Sequence, residues 1–139
     1  MSPPVQKIDH IGIAVPNLDD AMALYKTLGF QFDHVEEVAS QKVKVAFFEC
    51  GESHMELLEP TSEDSPIAKF LAKRGSGVHH LCVQVEDVAA SLASYKAQGM
   101  RLINEEPIIG AGGCKVAFVH PKSCSGVLLE LVEAPSKDA

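Results

Sequence analysis

Nowhere in the 139 residues does an apolar run reach the ~18 residues that a membrane-spanning helix requires, so no membrane partner is expected. Positive charge is scarce as well. Twelve Lys and Arg face 19 Asp and Glu, and the net charge of −7 argues against nucleic acid or an anionic lipid surface as a partner. The four cysteines, Cys50, Cys82, Cys114 and Cys124, show no C-x-x-C spacing and are too sparse for a disulfide framework. They read as reduced thiols. The opening residues MSPPVQK lack the apolar core of a secretion signal, which makes the cytoplasm the expected compartment. The glycine-rich stretch Ile109–Gly113 lacks the strand-to-helix setting of a phosphate loop and reads as a turn between strands. With 46% hydrophobic and 22% charged residues the composition is that of an ordinary soluble domain.

What the chain does contain is an internal duplication. From Asp9 it reads DHIGIAVPNLDDAMALYKTLGF, and from His79 it reads HHLCVQVEDVAASLASYKAQGM. At this constant offset His10/His80, Val15/Val85, Ala23/Ala93, Tyr25/Tyr95, Lys26/Lys96 and Gly29/Gly99 are identical. The motif KVAF at Lys44–Phe47 recurs at Lys115–Phe118, and MELLEP from Met55 matches LELVEAP from Leu129, pairing Glu56 with Glu130.

Each copy has the same order of elements. Lys7–Val15 and Val78–Val85 are β-branched runs of strand length, the first ended by Pro16. Asn17 and Asp87 can cap the helices that follow. The stripes Leu18/Met22/Tyr25 and Val88/Leu92/Tyr95 have helical spacing, and Gly29 and Gly99 are natural stops. Three strand-like stretches come next, at about 30–38, 43–50 and 54–59 in the first copy and 101–105, 114–120 and 127–133 in the second. Ser65-Pro66 opens a linker helix at about 65–75, and Ser136–Ala139 reads as a frayed tail. The expected fold is α+β. It comprises two tandem βαβββ modules, about 7–60 and 77–135, that form one domain with a curved mixed sheet around a metal site.

Strand parity selects the ligands. Ile11, Ile13 and Val15 share the face expected under the helix, while His10 lies on the other; Leu81, Val83 and Val85 are likewise opposed to His80. His79 falls on the helix-facing parity. Glu56 shares a face with Leu58, and Glu130 with Leu128 and Val132, so both carboxylates need a partner there. His34, His54 and His120 have no repeat counterpart and read as surface or loop residues. His10, Glu56, His80 and Glu130 thus offer two imidazoles and two carboxylates for one divalent ion such as Co²⁺, Mn²⁺, Ni²⁺ or Zn²⁺. A six-coordinate ion would keep two positions for a substrate bearing two oxygens. A carbonyl held there is acidified at its α-carbon, which suits proton abstraction by a nearby carboxylate.

The paired modules with their His–Glu–His–Glu set resemble the vicinal oxygen chelate superfamily and, within it, the methylmalonyl-CoA epimerases. The resemblance runs from about Ile8 to Glu133. It is carried by DHIGIAVPNLDDA at Asp9, MELLEP at Met55, DSPIAKFL at Asp64, GVHHLCVQVEDV at Gly77, NEEPIIGAGG at Asn104 and VAFVHPKSCSGVLLELV at Val116. It implies that the four residues are metal ligands; Glu130 and Glu56 are the carboxylates expected to handle the protons on the two faces, with Glu49 or a water as the alternative base. It further implies interconversion of (R)- and (S)-methylmalonyl-CoA through a metal-stabilised enolate, by a homodimer acting on a small CoA thioester. Some members have Gln at the position of Glu56 and a separate glutamate on the preceding strand; the matching residue here is Val45, with Glu49 four residues on. Lys115 and Lys122 are the basic residues expected near the mouth. The alternatives are a glyoxalase I-like lactoylglutathione lyase and a non-catalytic module that binds a small molecule.

Overall fold

The computed structural model describes residues 2–135, so Ser136–Ala139 lie outside the described residues. The order is β1 (Lys7–Ala14), α1 (Leu18–Thr27), β2 (Gln31–Val38), β3 (Val43–Cys50), β4 (Ser53–Pro60), α2 (Pro66–Arg74), β5 (Gly77–Val85), α3 (Val88–Ala97), β6 (Ile108–Ile109), β7 (Lys115–Val119) and β8 (Leu129–Glu133). Two units result, one running from His10 to His79, the other joining the segment up to Asp9 with everything from His80 onward. Both are βαβββ modules. In the first the strand order is β2-β3-β4-β1 and in the second β5-β8-β7-β6. Each sheet is mixed: β1 runs parallel to β4, β5 parallel to β8, and the remaining pairs are antiparallel.

The helices start and stop where the sequence says they should. Asn17 accepts from the Asp20 N–H at 3.0 Å, and Asp87 from the Ala90 N–H at 3.1 Å. Gly29 and Gly99 adopt φ of 101° and 82° just beyond the last turns, a conformation that costs a side-chain-bearing residue energy. Each of these two helices has a second anchor. Glu59, near the end of β4, accepts from the Leu18 N–H at 2.6 Å, and its repeat counterpart Glu133 on β8 accepts from the Val88 N–H at 3.1 Å. A carboxylate from the last strand of each module therefore meets the positive end of that module's helix.

One face of each sheet packs under its helix. In the first module Val15, Leu18, Ala46, Phe48, Met55 and Leu57 form this core; in the second Val83, Val85, Val88, Leu92, Tyr95, Ala117, Val119 and Leu131 do. Ile11 departs from expectation and is 38% exposed. Helix α1 lies chiefly over β2, β3 and β4, so it covers Ile13 and Val15 at its near end but not Ile11. On the opposite face Ala14, Val43, Val45, Leu58 and Ile67 form a second cluster against Phe70 and Leu71 of α2. Cys82, Val116 and Val132 form the smaller cluster of the second module.

The expected strand at 101–105 is absent. Leu102 makes a single bridge to Val119, and a two-residue β6 forms at Ile108–Ile109 instead. Side chains occupy the groups a ladder would use: Ser123 Oγ accepts from the Arg101 N–H at 2.8 Å, and Asn104 Oδ1 accepts from the Phe118 N–H at 2.8 Å. The glycine-rich stretch is a turn, as expected, with a 3₁₀ turn at Ala111–Gly113 joining β6 to β7.

Candidate metal centre

The parallel pairing of β1 with β4 brings the first His and Glu together. His10 stands in register with His54, and Glu56 with Gly12, so no side chain opposes Glu56 from β1. Across the antiparallel pair β3–β4, Phe47 is the neighbour of Glu56. His10 Nδ1 then lies 3.3 Å from Glu56 Oε2, with side-chain exposures of only 8% and 11%.

The second module repeats the arrangement. Glu130 is in register with Cys82 on one side and with Phe118, the phenylalanine of the second KVAF, on the other. His80 Nε2 lies 3.1 Å from Glu130 Oε1, and these side chains are 7% and 11% exposed. The ring of Phe118 meets His80 edge-on at 6.2 Å. Each module thus buries one imidazole–carboxylate pair on the sheet face away from its helix. The apolar cluster beside each pair disfavours a carboxylate whose charge is not neutralised.

His54, expected on the surface, belongs to this site. Its side chain is 31% exposed, its Nε2–H donates to Glu56 Oε2 at 2.9 Å, and its ring stacks on His10 at 4.8 Å. The signal was present in the sequence, because residues two apart on a strand share a face and His54 precedes Glu56 by two. With Asp33, Phe47, Phe48 and Glu49 it lines a cavity of about 240 Å³. His34 is exposed on β2, where its ring lies flat against Phe47 at 4.5 Å; hydrogen bonds to Asp33 and Glu36 raise its pKa. His79 packs edge-on against Phe70 of α2 at 5.0 Å.

Val45 is 3% exposed inside the α2-facing cluster, so β3 supplies no carboxylate at that position. Glu49 shares its face but sits exposed near the end of the strand, in register with His54. In the second module His120 caps the 3₁₀ turn Pro121–Ser123, and its pKa is lowered by desolvation and then by the charges of Arg101 and Lys122. Lys115 lies 3.9 Å from Glu133.

Residues 9–118 match the family model of the Glyoxalase/Bleomycin resistance protein/Dioxygenase superfamily. The mitochondrial methylmalonyl-CoA epimerase of Homo sapiens is 43% identical over 92% of this chain and 74% of its own length. The ethylmalonyl-CoA/methylmalonyl-CoA epimerase of Cereibacter sphaeroides is 41% identical over 91% of this chain and 97% of its own. The chain belongs to the methylmalonyl-CoA epimerase family. Members of this epimerase family are isomerases. A solved structure of the Streptomyces coelicolor methylmalonyl-CoA epimerase, a glutamate-to-glutamine variant in complex with 2-nitronate-propionyl-CoA, superposes with a TM-score of 0.88 at 41% identity. The match covers 96% of this chain and all of that one (100%), so the likeness to the epimerases spans both modules.

Proposed function

We propose that this protein epimerises methylmalonyl-CoA by moving the proton at C2, with His10, Glu56, His80 and Glu130 holding one divalent ion. The observation that carries the reading is the duplicated buried pair, His10–Glu56 at 3.3 Å and His80–Glu130 at 3.1 Å. Two imidazoles and two carboxylates are a donor set suited to Co²⁺, Mn²⁺, Ni²⁺ or Zn²⁺, and the apolar surroundings make a cation the natural counter-charge for both glutamates. When bound, such an ion supplies Lewis-acid polarisation of a carbonyl oxygen.

The residues of the chain do the rest. An epimerase must remove a proton from one face of C2 and return one to the other, so two proton-handling groups are required. Glu56 and Glu130 are assigned these roles, one from each module. The relative solved with 2-nitronate-propionyl-CoA supports a CoA thioester as the substrate class. The two modules act as one domain, in a homodimer. The cytoplasm is the compartment that the sparse cysteines without C-x-x-C spacing suit best.

Incubation with (S)-methylmalonyl-CoA, followed by chiral analysis of the thioester, tests the reading, with methylglyoxal plus glutathione run in parallel. The expected result is a racemising thioester and no S-lactoylglutathione. Lactoylglutathione formation without epimerisation would assign the chain to the lyases; ligand binding with neither reaction would make it a binding module.

A further inference from the structure

The two carboxylates are equivalent in the repeat but not in their surroundings. Glu56 has a histidine two residues before it, whereas the matching position before Glu130 is Leu128, which carries no polar group. A carboxylate can only accept, so the contact between His54 Nε2 and Glu56 Oε2 at 2.9 Å requires the proton on Nε2. His10 reaches the same oxygen, Oε2, at 3.3 Å. The His54 ring is held between neighbours, stacked on His10 at 4.8 Å and tilted against Phe47 at 5.9 Å. The donor is therefore fixed in direction, and the acceptor lies in the drier part of the site, where such a bond orients most strongly.

We infer that His54 is a positioning residue of the first module: it fixes the orientation of the Glu56 carboxylate from outside the set of His10, Glu56, His80 and Glu130, and so makes Glu56 distinct from Glu130. This rests on the epimerase reading for its catalytic consequence, but the orienting bond itself can be tested without substrate. Groups that hydrogen-bond a metal-ligating carboxylate change metal affinity or activity by about 10–100-fold when removed.

Two substitutions separate the donor from the ring. His54→Phe keeps an aromatic ring for the stack and removes the N–H; His54→Gln keeps a terminal N–H donor and removes the ring. His54→Leu installs the residue that the second module has, and serves as a further donor-less variant if the phenylalanine disturbs folding. The readouts are Co²⁺ titration, the visible absorption of the Co²⁺-loaded protein, and deuterium entry at C2 from each methylmalonyl-CoA stereoisomer. Removing the donor is expected to weaken Co²⁺ binding by about tenfold or more and to shift the spectrum. Exchange should also slow more from one stereoisomer than from the other, and His54→Gln should recover most of each effect. If His54→Phe matches wild type while His54→Gln is damaged, the ring matters and the donor does not, which overturns the orienting role of the N–H. If His54→Phe and His54→Leu both match wild type, His54 orients nothing. Wild-type protein that binds Co²⁺ yet exchanges no C2 proton would refute the epimerase reading alone, with the Co²⁺ data still deciding the role of His54.

Discussion

Replacing Glu59 with alanine removes a carboxylate from the start of α1, and the structure gives the scale of the loss. Glu59 Oε2 accepts from the Leu18 N–H at 2.6 Å, and Leu18 is only 3% exposed, so water has little room to take over the bond. Asn17 does not compensate, because its side chain already serves the Asp20 N–H. A shielded N–H left unsatisfied costs about 1–3 kcal/mol. Removal of a negative charge from a helix N-terminus adds about 0.3–1 kcal/mol. Allowing for relaxation of the helix end, Glu59→Ala should lose about 2 kcal/mol, which for a chain of this size lowers the Tm by roughly 5–8 °C. Glu59→Gln keeps an acceptor without the charge and should lose about half as much. Urea unfolding should show a lower midpoint with an unchanged slope. Glu133→Ala should behave like Glu59→Ala, since it releases the fully buried Val88 from a bond of 3.1 Å. A Glu59→Ala protein within about 0.5 kcal/mol of wild type, the range of an ordinary surface change, would show that Glu59 does not anchor the helix.

The site carries further predictions. His10→Ala or His80→Ala should strip most of the metal and the activity together, whereas His79→Ala, whose ring packs on Phe70, should keep both; elemental analysis of the three proteins decides. Glu56→Gln should retain metal through its amide oxygen yet slow epimerisation by about 10²–10⁴-fold, the usual worth of a positioned acid or base, while Glu49→Gln stays near wild type in the same assay. Asp64 is held down from its ordinary 3.8 to about 2 by hydrogen bonds from Lys42 and Ser62. A depressed carboxylate pKa favours the folded state above 3.8 and ceases to do so as pH falls toward about 2, so Asp64→Asn should flatten the loss of Tm across that window.

The repeat made the architecture legible. His10/His80 and Glu56/Glu130 fall on β1, β5, β4 and β8 with the expected parity, because period-2 alternation is a local property that a sequence displays directly. The caps at Asn17 and Asp87 were readable for the same reason. What escaped depends on pairing between distant strands. His54 joins the site only because β1 and β4 align His10 with it, and Glu59 caps a helix 41 residues earlier in the chain. The missing strand at 101–105 reflects competition that patterning does not reveal. The apolar residues Leu102 and Ile103 suit a strand, but Ser123 and Asn104 take over the backbone partners. Ile11 was misplaced because parity gives a face and not the extent of the helix that covers it.

If His10, Glu56, His80 and Glu130 hold one ion as proposed, C2 proton transfer should require that ion. The most direct test is C2 deuterium incorporation into methylmalonyl-CoA in D₂O, followed by NMR, with one preparation assayed as isolated, after chelation, and after adding back Co²⁺. The expected result is exchange accompanied by inversion, abolished by chelation and restored by the ion, and absent throughout in His10→Ala and His80→Ala. Exchange that persists in the chelated protein, or that survives loss of either histidine, would contradict it.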